Sequence, residues 1–302
     1  MPGQRSKLRS HQSRPFNERR RRRVVLGYAA AITAAVSFLF VSSRLSFLPA
    51  LSIETVEVYG ADASITPAME TAAYGAIQGS YLGLFSKSNA LIYPGSAVAA
   101  AVASLSPKVE TVSVELSGMR SLAVSVSEKA PAAVVCADLP NWDENGALLP
   151  ESGCYFADED GLIFDQAPED AGDLYNRYYV PGLSGSDRVI GLFATSTAEF
   201  KSLQGFMDSV KAAGIRTEAM LMEDGGEYEL YAHNPPAVST TSSEGSVVVI
   251  HFNDAAGLRT ERDNLVLFWS SMTDKAKAAG AAPEWSDIKL QYPPNIDYTE
   301  TK

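Results

Sequence analysis

The sequence predicts an α+β protein that is anchored by one N-terminal transmembrane helix. Three observations lead to this class. An uncharged apolar run fills residues 24–43, helical and alternating patterns mix in residues 51–129, and alternating segments dominate residues 130–300. We therefore expect a β-α-α-β-β unit, followed by a β-rich domain in which two helices pack on a mostly antiparallel sheet.

The run over residues 24–43 is long enough, as a helix, to cross the roughly 30 Å of hydrocarbon in a membrane. Five arginines, Arg19 to Arg23, precede it and predict a cytoplasmic N-terminus by the positive-inside rule. A cleaved signal peptide and a buried core helix are the alternatives. The run is long for a signal peptide, and Arg44-Leu-Ser-Phe-Leu-Pro offers no good cleavage site. Charges flank the run and none lie inside it, which disfavours a core helix.

Charge divides the chain into two parts. Residues 1–23 carry nine basic residues and one acid, a net charge of +8, so the other 279 residues carry −19 of the total of −11. So acidic a body argues against nucleic-acid binding, which needs a basic face. We interpret the basic head, predicted to be a disordered cytoplasmic tail, as a topology signal attracted to anionic lipid. A hydrophobic content of 46% excludes disorder of the whole chain.

The first extracytoplasmic unit is predicted element by element. Ile53–Gly60 alternates as a strand that a glycine ends, and Thr66-Pro67 is expected to cap and open a helix that stops near Gly79. A second helix is expected over 96–105, before Pro107. The segments 109–116 and 122–128 then alternate strictly around Ser117-Gly-Met-Arg120, which indicates a hairpin with one buried face.

The β-rich domain begins with two short strands around a polar excursion, and Asp158–Gly161 then forms a turn. A helix over about 197–213 has a capping box of Ser196 and Glu199, and it ends at Gly214. A second helix is expected over about 258–279. The predicted strands are 132–136, 154–156, 162–164, 217–222, 227–231, 247–252, 288–292 and 296–298.

Cys136 and Cys154 lie at the two ends of the polar excursion, in a part of the chain predicted to face an oxidising compartment. If their strands pair there, the α-carbons come close to the separation that a disulfide needs. The sequence favours a disulfide. The alternative is a pair of buried free thiols that pack as small apolar groups.

Catalytic, metal-binding and cofactor-binding patterns are not evident. His11, His233 and His251 are scattered, and neither a nucleophile elbow nor a phosphate-binding glycine loop occurs. Asp158-Glu-Asp-Gly161 matches a fragment of a calcium loop, but the remaining ligands are missing, which favours an ordinary turn. We therefore expect no enzyme, no metal and no cofactor.

An ordered set of landmarks resembles the FtsQ/DivIB family of cell-division proteins. The unit with Val58, Gly60, Pro107, Val109, Glu128 and Pro131 resembles the family's POTRA domain, most specifically in Val126-x-Glu128-x-x-Pro131-x-Ala. Asp160-Gly161-Leu-Ile-Phe164 is similar to the following landmark, and Tyr179-Val-Pro-Gly-Leu183 is a looser match. Trp285–Tyr292 resembles the last strand of the family's β domain. The likeness covers about residues 20–300.

The resemblance implies a non-enzymatic scaffold of the bacterial divisome, at the cytoplasmic membrane and enriched at the septum. It would bind FtsB/DivIC-like and FtsL-like partners outside the membrane and help control septal peptidoglycan synthesis. A terminal strand over Ile288–Tyr292 could accept a partner strand, with side-chain anchors from Ile288, Leu290, Tyr292, Ile296 and Tyr298. Packing of these residues inside their own domain is the equally weighted alternative. Near Val56–Val58, core packing is favoured over a second partner site.

Departures from the family pattern affect the partner surface more than the fold. Lys289 and Gln291 take the charged places of the last strand, Pro293-Pro294 breaks it, and the cysteine-bounded excursion over 137–153 is longer than usual. The main rival is a bitopic assembly protein of a secretion or pilus system. Such a protein is not expected to combine the Glu128/Pro131 and Asp160-Gly161 landmarks. An anchored extracytoplasmic enzyme is the second rival.

Overall fold

In the computed structural model the chain forms two compact units. The first runs to Leu105 and includes Val112–Val126, and the second comprises Ser106–Thr111 and the chain from Ser127 on. The structure describes residues 14–300 except 144–147, 150–152, 170, 172–173, 185–187, 224, 236–245, 256, 280–283 and 291–295.

The N-terminal helix α1 spans Arg14–Ser46. Its segment Arg20–Ser46 is long and apolar enough to cross a membrane, and the side chains over 20–41 are exposed. The disordered tail expected over residues 1–23 is wrong for residues 14–23, which are helical. Arginine is a good helix former, so the helix extends from the apolar run into the basic segment. Residues 1–13 lie outside the described residues.

Besides α1 and a short hairpin, the first unit contains a three-stranded sheet and two helices. The strands are β1 (Thr55–Tyr59), β4 (Val109–Leu116) and β5 (Ser121–Glu128), in the order β1-β5-β4, and β1 runs parallel to β5. Helices α2 (Thr66–Ala76) and α3 (Gly95–Ala103) contact each other. Buried side chains from these elements are Met69, Ala73, Val98, Val102, Leu122, Val124 and Val126.

A short hairpin that the sequence did not predict lies between these helices. Its strands are β2 (Ser80–Tyr81) and β3 (Phe85–Ser86), paired antiparallel. The expected cap at Thr66 is also wrong. Thr66 is the first helical residue, and its hydroxyl donates to the carbonyl of Asp62 at 2.9 Å instead of accepting a backbone N–H.

The second unit holds a nine-stranded sheet in the order β14-β13-β12-β11-β10-β9-β6-β7-β8, and five of its eight strand pairs are antiparallel. Its strands are β6 (Ala133–Cys136), β7 (Cys154–Ala157), β8 (Ile163–Gln166), β9 (Asn176–Tyr179), β10 (Thr217–Glu223), β11 (Glu227–His233), β12 (Val247–Asn253), β13 (Trp285–Lys289) and β14 (Asp297–Glu300).

Two helices make the crossovers between parallel neighbours in this sheet. Helix α4 (Thr197–Ala212) connects β9 to β10, and α5 (Leu258–Ala279) connects β12 to β13. Parallel strands need such a long connection, whereas the antiparallel β10 and β11 need only a tight turn. Both helices bury apolar side chains against the sheet: Phe200, Leu203, Phe206, Met207 and Val210 from α4, and Leu265 and Trp269 from α5.

The caps of α4 confirm part of the predicted local chemistry. The hydroxyl of Ser196 accepts the N–H of Glu199, and Gly214 follows the helix with a φ of +85°. The Glu199 carboxylate does not complete the capping box. It accepts instead from the hydroxyls of Thr195 and Tyr228, at 2.5 and 2.7 Å.

Candidate partner-binding edge

The candidate site lies at the C-terminal end of the large sheet, one strand further out than the sequence predicted. Strand β13 is internal, because it pairs in parallel with β12 and antiparallel with β14. Tyr298 of β14 lies opposite Ile288. The expected terminal strand over Ile288–Tyr292 is therefore wrong as an edge. The strand predicted over 296–298 is present as β14, and it covers β13 by antiparallel pairing, which the sequence did not predict.

The five predicted anchors fall into different environments. Ile288 and Leu290 are 0% and 1% exposed and belong to the core under α4 and α5. For these two residues the prediction of partner anchors is wrong, because a side chain packed inside its own domain cannot reach a partner. Ile296 is partly buried against the same core, and Tyr292 lies outside the described residues.

Tyr298 is the predicted anchor that the structure places on an accessible edge. Its side chain is 43% exposed, and its ring lies 5.4 Å from that of Phe268 on α5. All four residues of β14 are exposed. Within the described residues no strand pairs with the outer side of β14. The outer backbone groups of an edge strand are a template for a further strand.

A row of polar contacts holds the strands beneath this edge in register. His251 on β12 lies between two carboxylates, with Nδ1 3.3 Å from Glu229 Oε1 on β11 and Nε2 2.9 Å from Asp287 Oδ2 on β13. The hydroxyl of Tyr231 donates to Glu229 at 2.7 Å. Burial and this carboxylate raise the pKa of Tyr231. Cross-strand pairs of this kind stabilise a sheet, so the row acts as structural support for β13, the strand with which β14 pairs.

Cys136 and Cys154 form a disulfide across β6 and β7, where they are directly opposed with their α-carbons 4.1 Å apart. Both are buried in an apolar cluster on the sheet, together with Tyr179, Ala219 and Leu221. The ring of Trp142, from the excursion that the disulfide closes, lies 5.1 Å from that of Tyr231. The disulfide thus holds the base of the excursion against this face of the sheet.

The turn at Asp158 is an internal ion-pair and hydrogen-bond site. Asp158 Oδ1 accepts the N–H groups of Asp160 and Leu162 at 3.0 Å, and Oδ2 accepts from Lys129 Nζ at 2.5 Å. Sequence reasoning missed Lys129, which directly follows the Glu128 landmark. Among the described residues, no group of three or more His, Cys, Asp or Glu side chains could hold a metal ion.

The positions of the landmark residues in the fold explain why several of these residue types occur there. Val58 pairs with Val124, and Gly60 has a φ of +83° at a place where a Cβ would lie 2.2 Å from the Val126 carbonyl oxygen. A side chain at Gly161 would collide with Phe200, 2.8 Å away. The remaining landmarks lie around the strand ends: Pro107 precedes β4, Val109 begins it, Glu128 ends β5, and Pro131 precedes β6.

A backbone hydrogen bond of 2.8 Å from Lys129 to Lys108 brings the ends of β4 and β5 together. The Lys108 ammonium pairs with Asp165 on β8 at 2.8 Å.

No family model and no curated protein matches this chain. Its geometry therefore supplies the structural evidence for a function, and the most accessible strand edge near the predicted anchors is β14.

Proposed function

We propose that the chain is a non-enzymatic scaffold of the bacterial divisome, with a POTRA-like first unit and an FtsQ-type β domain. It binds FtsB/DivIC-like and FtsL-like membrane proteins and helps control septal peptidoglycan synthesis. The ordered landmarks support the family, and the exposed strand β14 at the end of the large sheet is the observation that carries the binding role. Strand addition at such an edge gives affinity through backbone hydrogen bonds.

The proposed topology follows from α1 and its basic head. The chain crosses the bacterial cytoplasmic membrane once, with the basic segment in the cytoplasm and both units outside, and it is enriched at the division septum. The Cys136–Cys154 disulfide supports an extracytoplasmic second unit, because disulfides persist in oxidising compartments. The acidic charge outside and the basic charge inside fit the same orientation.

The chemistry of β14 defines the segment that would pair with it. Asp297 and Glu300 lie at the ends of the strand, and Tyr298 lies between them. A partner segment is therefore expected to be extended, to carry basic side chains near its ends and to offer an apolar contact to Tyr298. Charged edge residues also protect against non-specific pairing, so the edge favours a partner segment of opposite charge.

The test is binding of the full chain to its FtsB/DivIC-like partner in detergent, measured by co-purification and by titration. Tyr298→Asp removes the aromatic anchor and adds a third acid, so the dissociation constant is expected to rise about tenfold or more. Leu174→Asp is the matched control, since Leu174 is 82% exposed and precedes β9, five places away from β14 in the sheet. Equal binding by both variants would reject β14 as the partner edge.

A further inference from the structure

The last turn of α1 is hydrogen-bonded to the β2–β3 hairpin of the first unit. Ser43 Oγ donates to the Leu84 carbonyl at 2.5 Å, and the Ser86 N–H donates to Ser46 Oγ at 3.0 Å. The Asn89 side-chain amide donates to the Ser46 carbonyl, also at 3.0 Å. Ser46, Ser86 and Asn89 are buried. These hydrogen bonds fix the position of the hairpin along the axis of α1, beside its residues 43–46.

The tip of this hairpin carries a leucine in an unfavourable place. The turn is closed by the Leu84 N–H, which donates to the Tyr81 carbonyl at 2.9 Å, and Leu82 and Gly83 have φ values of +51° and +74°. Turns with two positive φ values favour Asn-Gly, because a bulky side chain is strained in the left-handed region. Leu82 is also 96% exposed. Neither the backbone nor an aqueous surrounding accounts for leucine here.

Other exposed apolar side chains lie on segments bound to the same helix end. The Tyr81 hydroxyl donates to the Ile92 carbonyl at 3.2 Å, which ties the turn after Asn89 to the hairpin. The Lys87 ammonium lies 5.8 Å from the centre of the Tyr81 ring. Tyrosine and lysine are favoured where a membrane meets water. The exposed apolar residues on these segments, here named the juxtamembrane patch, are Leu82, Leu84, Leu91 and Ile92.

The height of the patch identifies its occupant. The uncharged run of α1 ends at Ser43, and Arg44 is the first charged residue after it. In a membrane-spanning helix this change marks the boundary between hydrocarbon and headgroups. Ser43 itself bonds to Leu84, so the tip of the hairpin lies at that boundary. A phospholipid surface is therefore in reach of Leu82 without any further partner.

We propose that the juxtamembrane patch inserts into the outer interface of the membrane, with Leu82 at the headgroup–acyl boundary. This inference rests on the membrane span of the proposed function and adds a second membrane contact. The contact would restrain the first unit close to the bilayer, because the helix end and the hairpin are both held there. Interfacial insertion of a few apolar side chains is a common mode of peripheral membrane contact.

The test uses single-cysteine variants of the full chain in phosphatidylcholine/phosphatidylglycerol vesicles. Both native cysteines are joined in the disulfide, so one added cysteine takes an environment-sensitive fluorophore alone. Leu82→Cys is the test site and Ile32→Cys, in the middle of the uncharged run, reports the span. Ala63→Cys is the control, because Ala63 is exposed and follows β1, a strand that is about 17 Å long and begins nine residues after the end of α1.

We expect nitroxide-labelled lipids to quench the Leu82 and Ile32 labels several-fold more strongly than the Ala63 label. A quenched Ile32 label beside an unquenched Leu82 label would overturn the inference and leave the span intact. An unquenched Ile32 label would overturn the span and the inference together. Quenching at Leu82 that requires a co-reconstituted partner protein would assign the patch to that partner and reject the lipid contact.

A second experiment tests the role of the Leu82 side chain, with the fluorophore placed at Leu91→Cys. Leu82→Asn introduces a residue that the positive φ of the turn accepts, and it removes the apolar side chain from the tip of the hairpin. We expect it to reduce lipid quenching at position 91 to less than half, while Leu105→Asn, at an exposed site after α3, leaves that quenching unchanged. Equal quenching in both variants would contradict insertion of the hairpin tip.

Discussion

Removing the Cys136–Cys154 disulfide is expected to destabilise the second unit by about 3 kcal/mol. The two residues are 18 positions apart in sequence, and the chain-entropy treatment of a loop of that size leads to this value at 25 °C. The variant is Cys136→Ala with Cys154→Ala, because serine hydroxyls would be buried in an apolar cluster. Lost packing of the two sulfur atoms adds to the effect.

Tryptophan fluorescence during urea unfolding measures this loss in the full chain in detergent. The chain has three tryptophans, and Trp142, Trp269 and Trp285 all belong to the second unit, so the signal reports on that unit. With an m-value of about 2 kcal/mol/M, a loss of about 3 kcal/mol lowers the midpoint by about 1.5 M. The control is the unaltered protein unfolded in the presence of a reductant and without alkylation, which should unfold at a similarly lowered midpoint.

The loop-closure reasoning would be refuted by a loss below about 1 kcal/mol in a comparison with fully oxidised protein. Oxidation is checked first by mass spectrometry after alkylation without reductant. The m-value should stay the same or rise, because the denatured chain without the cross-link is less compact, whereas a lower m-value would show that the native state is already loosened or that unfolding is no longer two-state.

Two further predictions concern single residues. Gly60→Ala should destabilise the first unit by more than about 2 kcal/mol, because the new Cβ would lie 2.2 Å from the Val126 carbonyl oxygen at a positive φ. Gly75→Ala, in an open position on α2, should stabilise the same unit slightly. Hydrogen exchange of the amides in β1 and β5 distinguishes the two variants, and equal protection in both would contradict the prediction. Glu261→Leu should stabilise the second unit by about 1–3 kcal/mol at pH 7, because the buried Glu261 carboxylate has no hydrogen-bond partner among the described residues. Burial raises the pKa of Glu261, so the ionised carboxylate destabilises the folded state at pH values above the ordinary carboxyl pKa. The stability gained by Glu261→Leu should therefore be smaller in urea unfolding at pH 4 than at pH 7. A gain that does not change with pH would contradict this pH dependence.

Local chemistry made most of the helices and strands predictable. The α4 cap at Ser196, the stop at Gly214 and the alternation in β12 are short-range patterns, and each has the predicted element in the structure. The β2–β3 hairpin escaped prediction because strands of two residues are too short to show a period. The helical start of α1 escaped because the basic residues were interpreted by charge alone.

The strand order was not predictable from the same patterns. The parallel pairs β9/β10 and β12/β13 depend on where α4 and α5 return the chain, which alternation does not encode. The candidate site shows the same limit. Alternation correctly indicated that Ile288 and Leu290 share a buried face, but it did not distinguish a core from a partner surface. Strand β14, which follows the proline pair, pairs with β13 and so forms the accessible edge in its place.

The central claim is a role in cell division, and localisation in dividing cells tests it most directly. A fluorescent protein fused to the N-terminus of the full chain should form a band at midcell that appears with septation. Uniform staining of the envelope in cells that are visibly dividing would contradict a divisome scaffold and favour a bitopic assembly protein of another system.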